Sequence, residues 1–176
     1  MAASDPAKTE LRSDCSRCAG LCCVAPAFSA GPEFALDKSA HAPCPHLQDD
    51  FRCGIHERLR EHGFSGCVVF ECYGAGQRVT QRTFGGRDWR TSPEIAKSQF
   101  EAFRVVRPLH EQLMFLDEAL KLEASWPLED ELRRLYDEVD AAASSAAEDL
   151  ETIDVAQIER RVHELLLRVG ELVRSA

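Results

Sequence analysis

The sequence predicts a mainly α-helical protein, in which an irregular cysteine-rich metal-binding module packs on an antiparallel three- or four-helix bundle. Three observations support this fold class. All eight cysteines of the 176-residue chain lie between Cys15 and Cys72. Apolar residues recur at helical spacing from Ser92 onward. The net charge of −9 arises after residue 90, because residues 1–90 hold 11 basic and 11 acidic residues whereas residues 91–176 hold 10 and 19.

The same division predicts four segments. Residues 1–12 are expected to be a flexible N-terminus, 13–75 the cysteine-rich metal-binding module, 76–92 a connecting loop and 93–176 an acidic helical bundle. The acidic helices suggest a protein partner. They argue against nucleic acid, because nucleic-acid binders normally display a basic face.

The composition, 44% hydrophobic and 29% charged, is that of a chain that buries a core and stays soluble. No apolar run approaches the roughly 20 residues of a membrane-spanning helix. The polar start MAASDPAKTELRSD lacks the apolar region of a secretory signal. We therefore expect a cytoplasmic protein with no membrane partner.

The first cysteine cluster, CSRCAGLCC, has the spacing C-x2-C-x3-C-C. In a secreted chain such cysteines would form disulfides, whereas in a reducing cytosol they favour a metal or a metal–sulfur cluster. If the segment is helical or turn-like, Cys15, Cys18 and Cys22 share one face and Cys23 points about 100° away. We infer that Cys22 and Cys23 serve two different metal centres or bridge a binuclear one.

The remaining cysteines are more widely spaced. Cys44 lies between two prolines in APCPHL, and Cys53 opens CGIHERLREHGF, which predicts a short amphipathic helix ending at Gly63. Cys67 and Cys72 flank VVFE, which suggests a short strand. These segments hold too few apolar residues for a core of their own, so ligation is expected to supply their stability.

All eight cysteines are therefore candidate ligands for zinc or iron, and an iron–sulfur cluster is an alternative. Two histidines within chelating reach of cysteines are additional candidate ligands, His46 and His56. Three arginines beside the cysteines are candidates to stabilise thiolate charge from the surrounding shell, namely Arg17, Arg52 and Arg58.

The order C-x2-C-x3-CC, PCPHL, CGIHERLR and GCVVFEC resembles the bacterial zinc- or iron-chelating family known as CxxCxxCC or YkgJ-like proteins. That resemblance implies that all eight cysteines are ligands. Over nearly the whole chain, DCSRCAGLCC, PCPHL, FRCGIHERLR, YGAGQRVTQ and TFGGRDWR resemble the segment that precedes pentapeptide repeats in some actinobacterial proteins. No run of A-[DN]-L-x-x pentads occurs here.

The second half has clear helix signals. Ser92-Pro93-Glu94 is a start signal, and Pro108 is expected to end or kink the first helix. Pro127 with the acids that follow it starts the next helix. Asp154 and Gln157 fit a capping box before a heptad seam that runs to the C-terminus. Trp89 and Arg90 are expected to pin the glycine-rich connecting loop onto the helices.

These features leave three functions open: a metal-binding module with zinc or iron, an iron–sulfur protein in redox or methyl-transfer chemistry, and a thiol redox sensor or metal chaperone. The sequence contains no G-x-S-x-G, H-E-x-x-H or Walker motif and no complete zinc-deaminase signature. No catalytic residue is assigned, and the balance is against an enzyme.

Overall fold

A computed structural model describes residues 10–175 of the chain. Its α-helices are α1 (Leu21–Val24), α2 (Ser65–Val69), α3 (Ala75–Arg78), α4 (Ala96–Leu120), α5 (Glu129–Ala143), α6 (Ala147–Leu150) and α7 (Val155–Ser175). Extended pairing within residues 10–175 is limited to two isolated bridges, Phe28 with Lys38 and Leu47 with Cys53. The prediction of a mainly α-helical protein is confirmed. Residues 1–9 of the predicted flexible N-terminus lie outside the described residues.

Helix α4 is the centre of the helical part, and it contacts α5, α6 and α7. Its apolar stripe is fully buried at Val106, Leu109, Leu113 and Leu116. Helices α5 and α7 run antiparallel, because ion pairs join Glu138 to Arg161 at one level and Glu131 to Arg168 (2.7 Å) at the next. Of the predicted capping box, the Asp154 half is confirmed, because the Gln157 amide donates to Asp154 Oδ1 at 2.9 Å.

Pro108 was predicted to end or kink the first helix, and α4 continues through it, so the first of these alternatives is wrong. A proline inside a helix lacks the N–H that would bond to the carbonyl four residues earlier. The fully buried neighbours Val106 and Leu109 lie on either side of Pro108. Burial of such side chains contributes about 1.5–3 kcal/mol each, which offsets the missing hydrogen bond.

Two local predictions in the cysteine-rich part are wrong. The helix expected from Cys53 to Gly63 is only a 3₁₀ turn at His56–Arg58, whose flanking residues Ile55 and Leu59 bury themselves against Phe64. The strand expected between Cys67 and Cys72 is replaced by α2, because no neighbouring strand is available to pair with it among the described residues.

A third local prediction concerns the first cluster, where no continuous helix forms and the turn-like alternative is the one observed. A 3₁₀ turn at Cys15–Arg17 is separated from α1 by Gly20, whose φ of +65° lies in the left-handed region. A side chain at Gly20 would also approach Leu47 Cδ1 to 2.8 Å. The break changes the direction of the chain, and Cys22 and Cys23 lie in the new turn of helix that follows it.

Residues 76–83 are helical, so the predicted connecting loop is wrong in its first half. Helix α3 passes directly into a π-helical turn at Val79–Thr83, and residues 74–80 are buried. Glycines 74 and 76 suggested a turn, but Gly76 lies inside the helix. The segment sits between the cysteine-rich part and α4, which explains its burial.

The rest of that segment joins the two halves. Trp89 donates from Nε1 to the Ala19 carbonyl at 2.8 Å, and its ring meets Phe100 of α4 at a centroid distance of 5.7 Å. Trp89 therefore contacts α4, as expected. Arg90 instead reaches the cysteine-rich part, where Nη1 donates to the carbonyls of residues 48 and 49.

Candidate metal centre

Four of the eight cysteines form what we term the first cysteine group: Cys15, Cys18, Cys22 and Cys72. The pKa of Cys18 is raised to about 11 by burial and further by Cys72 and Cys15. The pKa of Cys22 is raised well above its usual range by its hydrogen bond with Cys23, by burial, and by the charges of Cys23, Cys18 and Cys72. Cys72 thus joins the N-terminal cluster across more than fifty residues of chain.

Gly76 of α3 lies against two sulfur atoms of this group. A Cβ atom at Gly76 would lie 2.6 Å from Cys18 Sγ and 3.9 Å from Cys72 Sγ, so both sulfur atoms lie close to the same point of the helix backbone. Ser13 Oγ lies 2.9 Å from Cys72 Sγ. The two thiols can approach α3 this closely because position 76 carries no side chain.

The other four cysteines form the second cysteine group: Cys23, Cys44, Cys53 and Cys67. The pKa of Cys67 is raised to about 11 by burial, and then by Cys23, Cys53 and Cys44. The pKa of Cys53 is raised by burial and by Cys23 and Cys44, with a smaller effect of Cys15. The Cys44 amide donates to the Cys23 carbonyl at 2.9 Å, which ties these two segments together.

The vicinal pair on α1 joins the two groups. Cys22 Sγ and Cys23 Sγ are 3.9 Å apart. The hydrogen bond from Cys22 lowers the pKa of Cys23, and Lys38 and Cys53 act in the same direction. The charges of Cys18 and Cys72 raise the pKa of Cys22, whereas a hydrogen bond with Cys53 lowers the pKa of Cys23.

A clamp from the α3 segment holds the chain that carries Cys15 and Cys18. Buried Gln77 donates to the Arg12 carbonyl and accepts from the Asp14 amide, both at 2.8 Å. Thr80 accepts from the Ala19 amide at 3.0 Å, and Gln81 donates to the Arg17 carbonyl at 2.8 Å. Sequence reasoning missed these residues. Their polar side chains at positions 77, 80 and 81 have helical spacing, which was an available signal.

Lys38 is a second feature that sequence reasoning missed. It is 6% exposed, and its ammonium donates to the carbonyls of Val24 (3.1 Å), Ser39 (3.1 Å) and Ala42 (2.8 Å). Burial lowers the pKa of Lys38, and the thiols of Cys44, Cys23 and Cys22 oppose that shift. A lone lysine in an irregular stretch carries no periodic signal, so the sequence did not mark it.

The predicted auxiliary residues have other side-chain contacts, although the His46 backbone amide hydrogen-bonds to the Cys44 thiol. His46 packs edge-to-face on Phe64 at 5.3 Å and is tilted against His62 at 6.0 Å, while His56 is exposed on a 3₁₀ turn. Arg17 pairs with Glu10 at 2.9 Å. Arg52 lies 3.9 Å from Asp50 and Arg58 is exposed. Lys38 is a cation whose charge is coupled to the thiols of Cys44, Cys23 and Cys22.

A buried polar network connects Cys72 to the helical part. The carbonyl of Tyr73 can only accept, so His110 Nδ1 donates to it (2.6 Å) and Nε2 is left to accept from Arg78 Nη1 (3.3 Å). Arg78 also donates to Asp140 Oδ1 at 2.7 Å and contacts Ser144 Oγ. Burial lowers the pKa of His110 to about 4, and the nearby Arg78 charge adds to this effect.

We expect His110 to make the protein less stable in acid. Its pKa is about 4 when folded and about 6.5 when unfolded, so the unfolded chain binds more protons between these values and stability falls as pH decreases through that window. The loss at pH 4.5 relative to pH 7.5 should be about 2 kcal/mol. Denaturant unfolding at both values checks this. His110→Gln should lack this part of the loss, whereas His163→Gln on α7, whose native residue is exposed, should retain it.

All eight cysteines are free thiols. As the side chains stand within residues 10–175, no three Cys, His, Asp or Glu side chains are already arranged to hold a metal ion. Any ligation by these thiols would therefore require their side chains to move. The donor type fits zinc or iron, which bind thiolates readily.

The chain is 43% identical over 166 residues to the uncharacterized protein YybG of Bacillus subtilis (strain 168). The alignment covers 94% of this chain and 60% of YybG, so the chain spans less than two thirds of its relative. No protein-family model matches the chain. No solved structure gives a significant match. None of the described helices has the length and apolar character needed to cross a bilayer.

Proposed function

We propose that this is a cytoplasmic metal-binding protein that holds zinc or iron through the thiolates of its two cysteine groups. The observation that carries the proposal is the gathering of eight free thiols, from four separate stretches of chain, into two adjoining groups of four. Four thiolates make the donor set of a closed zinc site or of an iron–sulfur cluster. In this proposal the cysteine-rich module packs on an antiparallel helical bundle that serves as scaffold and partner surface.

A bound cation would change the ionisation of these thiols. Burial and neighbouring thiols raise the pKa of Cys15, Cys18, Cys53 and Cys67, so the metal-free groups resist ionisation. A divalent cation among the sulfur atoms reverses that balance, because it favours the thiolate form of every ligand. Such sites bind metal while releasing protons.

Metal and acid-labile sulfide content per chain, measured with an optical spectrum on anaerobically purified protein, tests the proposal. Stoichiometric zinc in colourless protein supports a structural or metal-transfer module. Iron with sulfide in brown protein supports the iron–sulfur form and directs attention to redox or methyl-transfer chemistry. Protein that carries neither metal and binds neither after reduction would refute the proposal.

Thiol redox chemistry is the second candidate, and the vicinal pair specifically favours it. Cys22 and Cys23 sulfur atoms are 3.9 Å apart, and the Cys22 hydrogen bond lowers the pKa of Cys23, which favours the nucleophilic thiolate. Mass spectrometry after mild oxidation discriminates the two functions. A reversible disulfide at this pair in metal-free native protein would favour the redox function.

Gly76→Ala should displace a ligand. Alanine is favoured over glycine in a helix by about 1 kcal/mol, but its Cβ would lie 2.6 Å from Cys18 Sγ and force that sulfur away. We expect folded protein that has lost the metal of the first cysteine group. Metal content and circular dichroism check this against Gly31→Ala, where nothing lies within 4 Å of the new Cβ. Unchanged metal content in Gly76→Ala would contradict this role of position 76.

A further inference from the structure

The two cysteine groups differ in their charged surroundings. Lys38 Nζ donates to the carbonyl of Val24, the residue after Cys23, and to that of Ala42, two residues before Cys44. Its backbone pairs with Phe28, and its ammonium lies 5.4 Å from the centroid of that ring. The ammonium is thereby held between the two segments that carry Cys23 and Cys44.

The groups also differ in access to solvent. Cys15 of the first cysteine group is exposed, at the start of a 3₁₀ turn near the N-terminal end of the described chain. The second cysteine group has no exposed member, and its Cys44 is buried. The Lys38 charge acts to lower the pKa of Cys23 and Cys44 in this group, and it is coupled less strongly to Cys22 of the first cysteine group.

We propose, on the basis of the proposed function, that the two groups are separate and unequal metal centres. Lys38 is the resident counter-cation of the second cysteine group, which retains its metal, and Cys15 is the exposed ligand through which the first cysteine group exchanges metal.

Charge and access both favour this inequality. A divalent metal with four thiolates has a formal charge of −2, and burying that charge is costly unless a cation lies nearby. Lys38 supplies one positive charge inside the protein, with all three of its N–H donors bonded to carbonyls. Exchange begins when one ligand leaves the metal and takes up a proton from water. Solvent reaches Cys15 more readily than any thiol of the second cysteine group.

Transfer of zinc from the loaded full-length protein to a chromophoric chelator tests the assignment. We expect two zinc ions per chain to leave in two phases of equal amplitude. Cys15→Ser should abolish the fast phase and keep the slow one. Removing a group that supports metal ligands typically lowers metal affinity 10–100-fold, so Lys38→Met should accelerate the slow phase by about that factor. The fast phase should change much less, because Lys38 is coupled least to Cys22.

Two control variants separate charge from folding. Lys38→Arg keeps the positive charge, so its slow phase is expected to be nearly as slow as that of the wild type. A purely structural role of the lysine would not predict this similarity. Lys121→Met removes an exposed lysine on the far helical part and should change neither phase. Circular dichroism confirms that each variant is folded.

The outcomes are distinct. Two zinc ions that leave in a single phase, or a slow phase lost in Cys15→Ser, would overturn the assignment while leaving metal binding intact. A slow phase that Lys38→Met does not change would overturn the role of Lys38. If Lys38→Met does not fold, Lys38→Arg takes its place in the test. Release of the slowly exchanging zinc from Lys38→Arg at the rate of the wild-type fast phase would then overturn the role of Lys38. A chain that binds no zinc refutes the proposed function itself.

Discussion

Removing metal with a strong chelator is expected to unfold the cysteine-rich part and leave α4 to α7 folded. The second hydrophobic cluster, beneath the second cysteine group, contains only three buried residues, namely Ile55, Leu59 and Phe64. A structural zinc site contributes roughly 10–16 kcal/mol, far more than such a cluster can supply. The helical part keeps the main core around α4, which also buries Leu21 and Val24 of α1, so the loss of structure is expected in residues 26–72.

Hydrogen exchange resolved by segment measures this effect. Amides of residues 26–72 should lose protection in the metal-free protein, whereas those of α4, α5 and α7 should keep theirs. Adding zinc back under reducing conditions should restore the pattern and serves as the control. Full protection of residues 26–72 without metal would show that packing alone holds this part, and would contradict the expected role of ligation.

Arg78→Met is expected to destabilise the folded protein by about 3 kcal/mol, the lower end of the cost of removing one partner of a buried ion pair, because Asp140 keeps some contact with solvent. The Arg78 side chain is 4% exposed and pairs with Asp140 at 2.7 Å. It also bonds to the Asp140 carbonyl, the Ser144 hydroxyl and the ring of His110, so its removal leaves several acceptors without this donor.

Denaturant unfolding followed by circular dichroism checks this expectation. Arg133→Met is the matched control, because Arg133 pairs with Glu129 on the exposed face of α5. Surface pairs of this kind contribute about 0.3–0.5 kcal/mol, so the control should change the free energy of unfolding little. Equal losses in the two variants would contradict the assignment of Arg78 as the buried connection between α3 and α5.

The helical half was largely predictable because its signals are local. The heptad pattern and the Asp154 cap predicted α7, and Pro127 with the acids after it predicted α5. The continuation of α4 through Pro108 was not predictable from the sequence, because it depends on tertiary packing around Val106 and Leu109. Helix α3 was missed because glycine suggests a turn, whereas Gly76 is required by a close approach of sulfur atoms from elsewhere in the chain.

The candidate site was predictable in residue type and less so in arrangement. Cysteine spacing marked all eight thiols and separated Cys22 from Cys23, but it could not associate Cys72 with the N-terminal cluster. That association depends on the chain path at Tyr73 and Gly74, both with positive φ, where the backbone enters α3. Lys38 and the Gln77 clamp are similarly products of long-range contact.

The space at Gly76 has an evolutionary consequence. Any side chain there would collide with Cys18 Sγ, so position 76 and the cysteines at 18 and 72 should change together or not at all across homologues. Lineages that have lost these cysteines should be free to place alanine at 76, where the helix would favour it. Gly31, which faces open space, should vary without regard to the cysteines. Covariation at these positions would therefore record which homologues still use the first cysteine group.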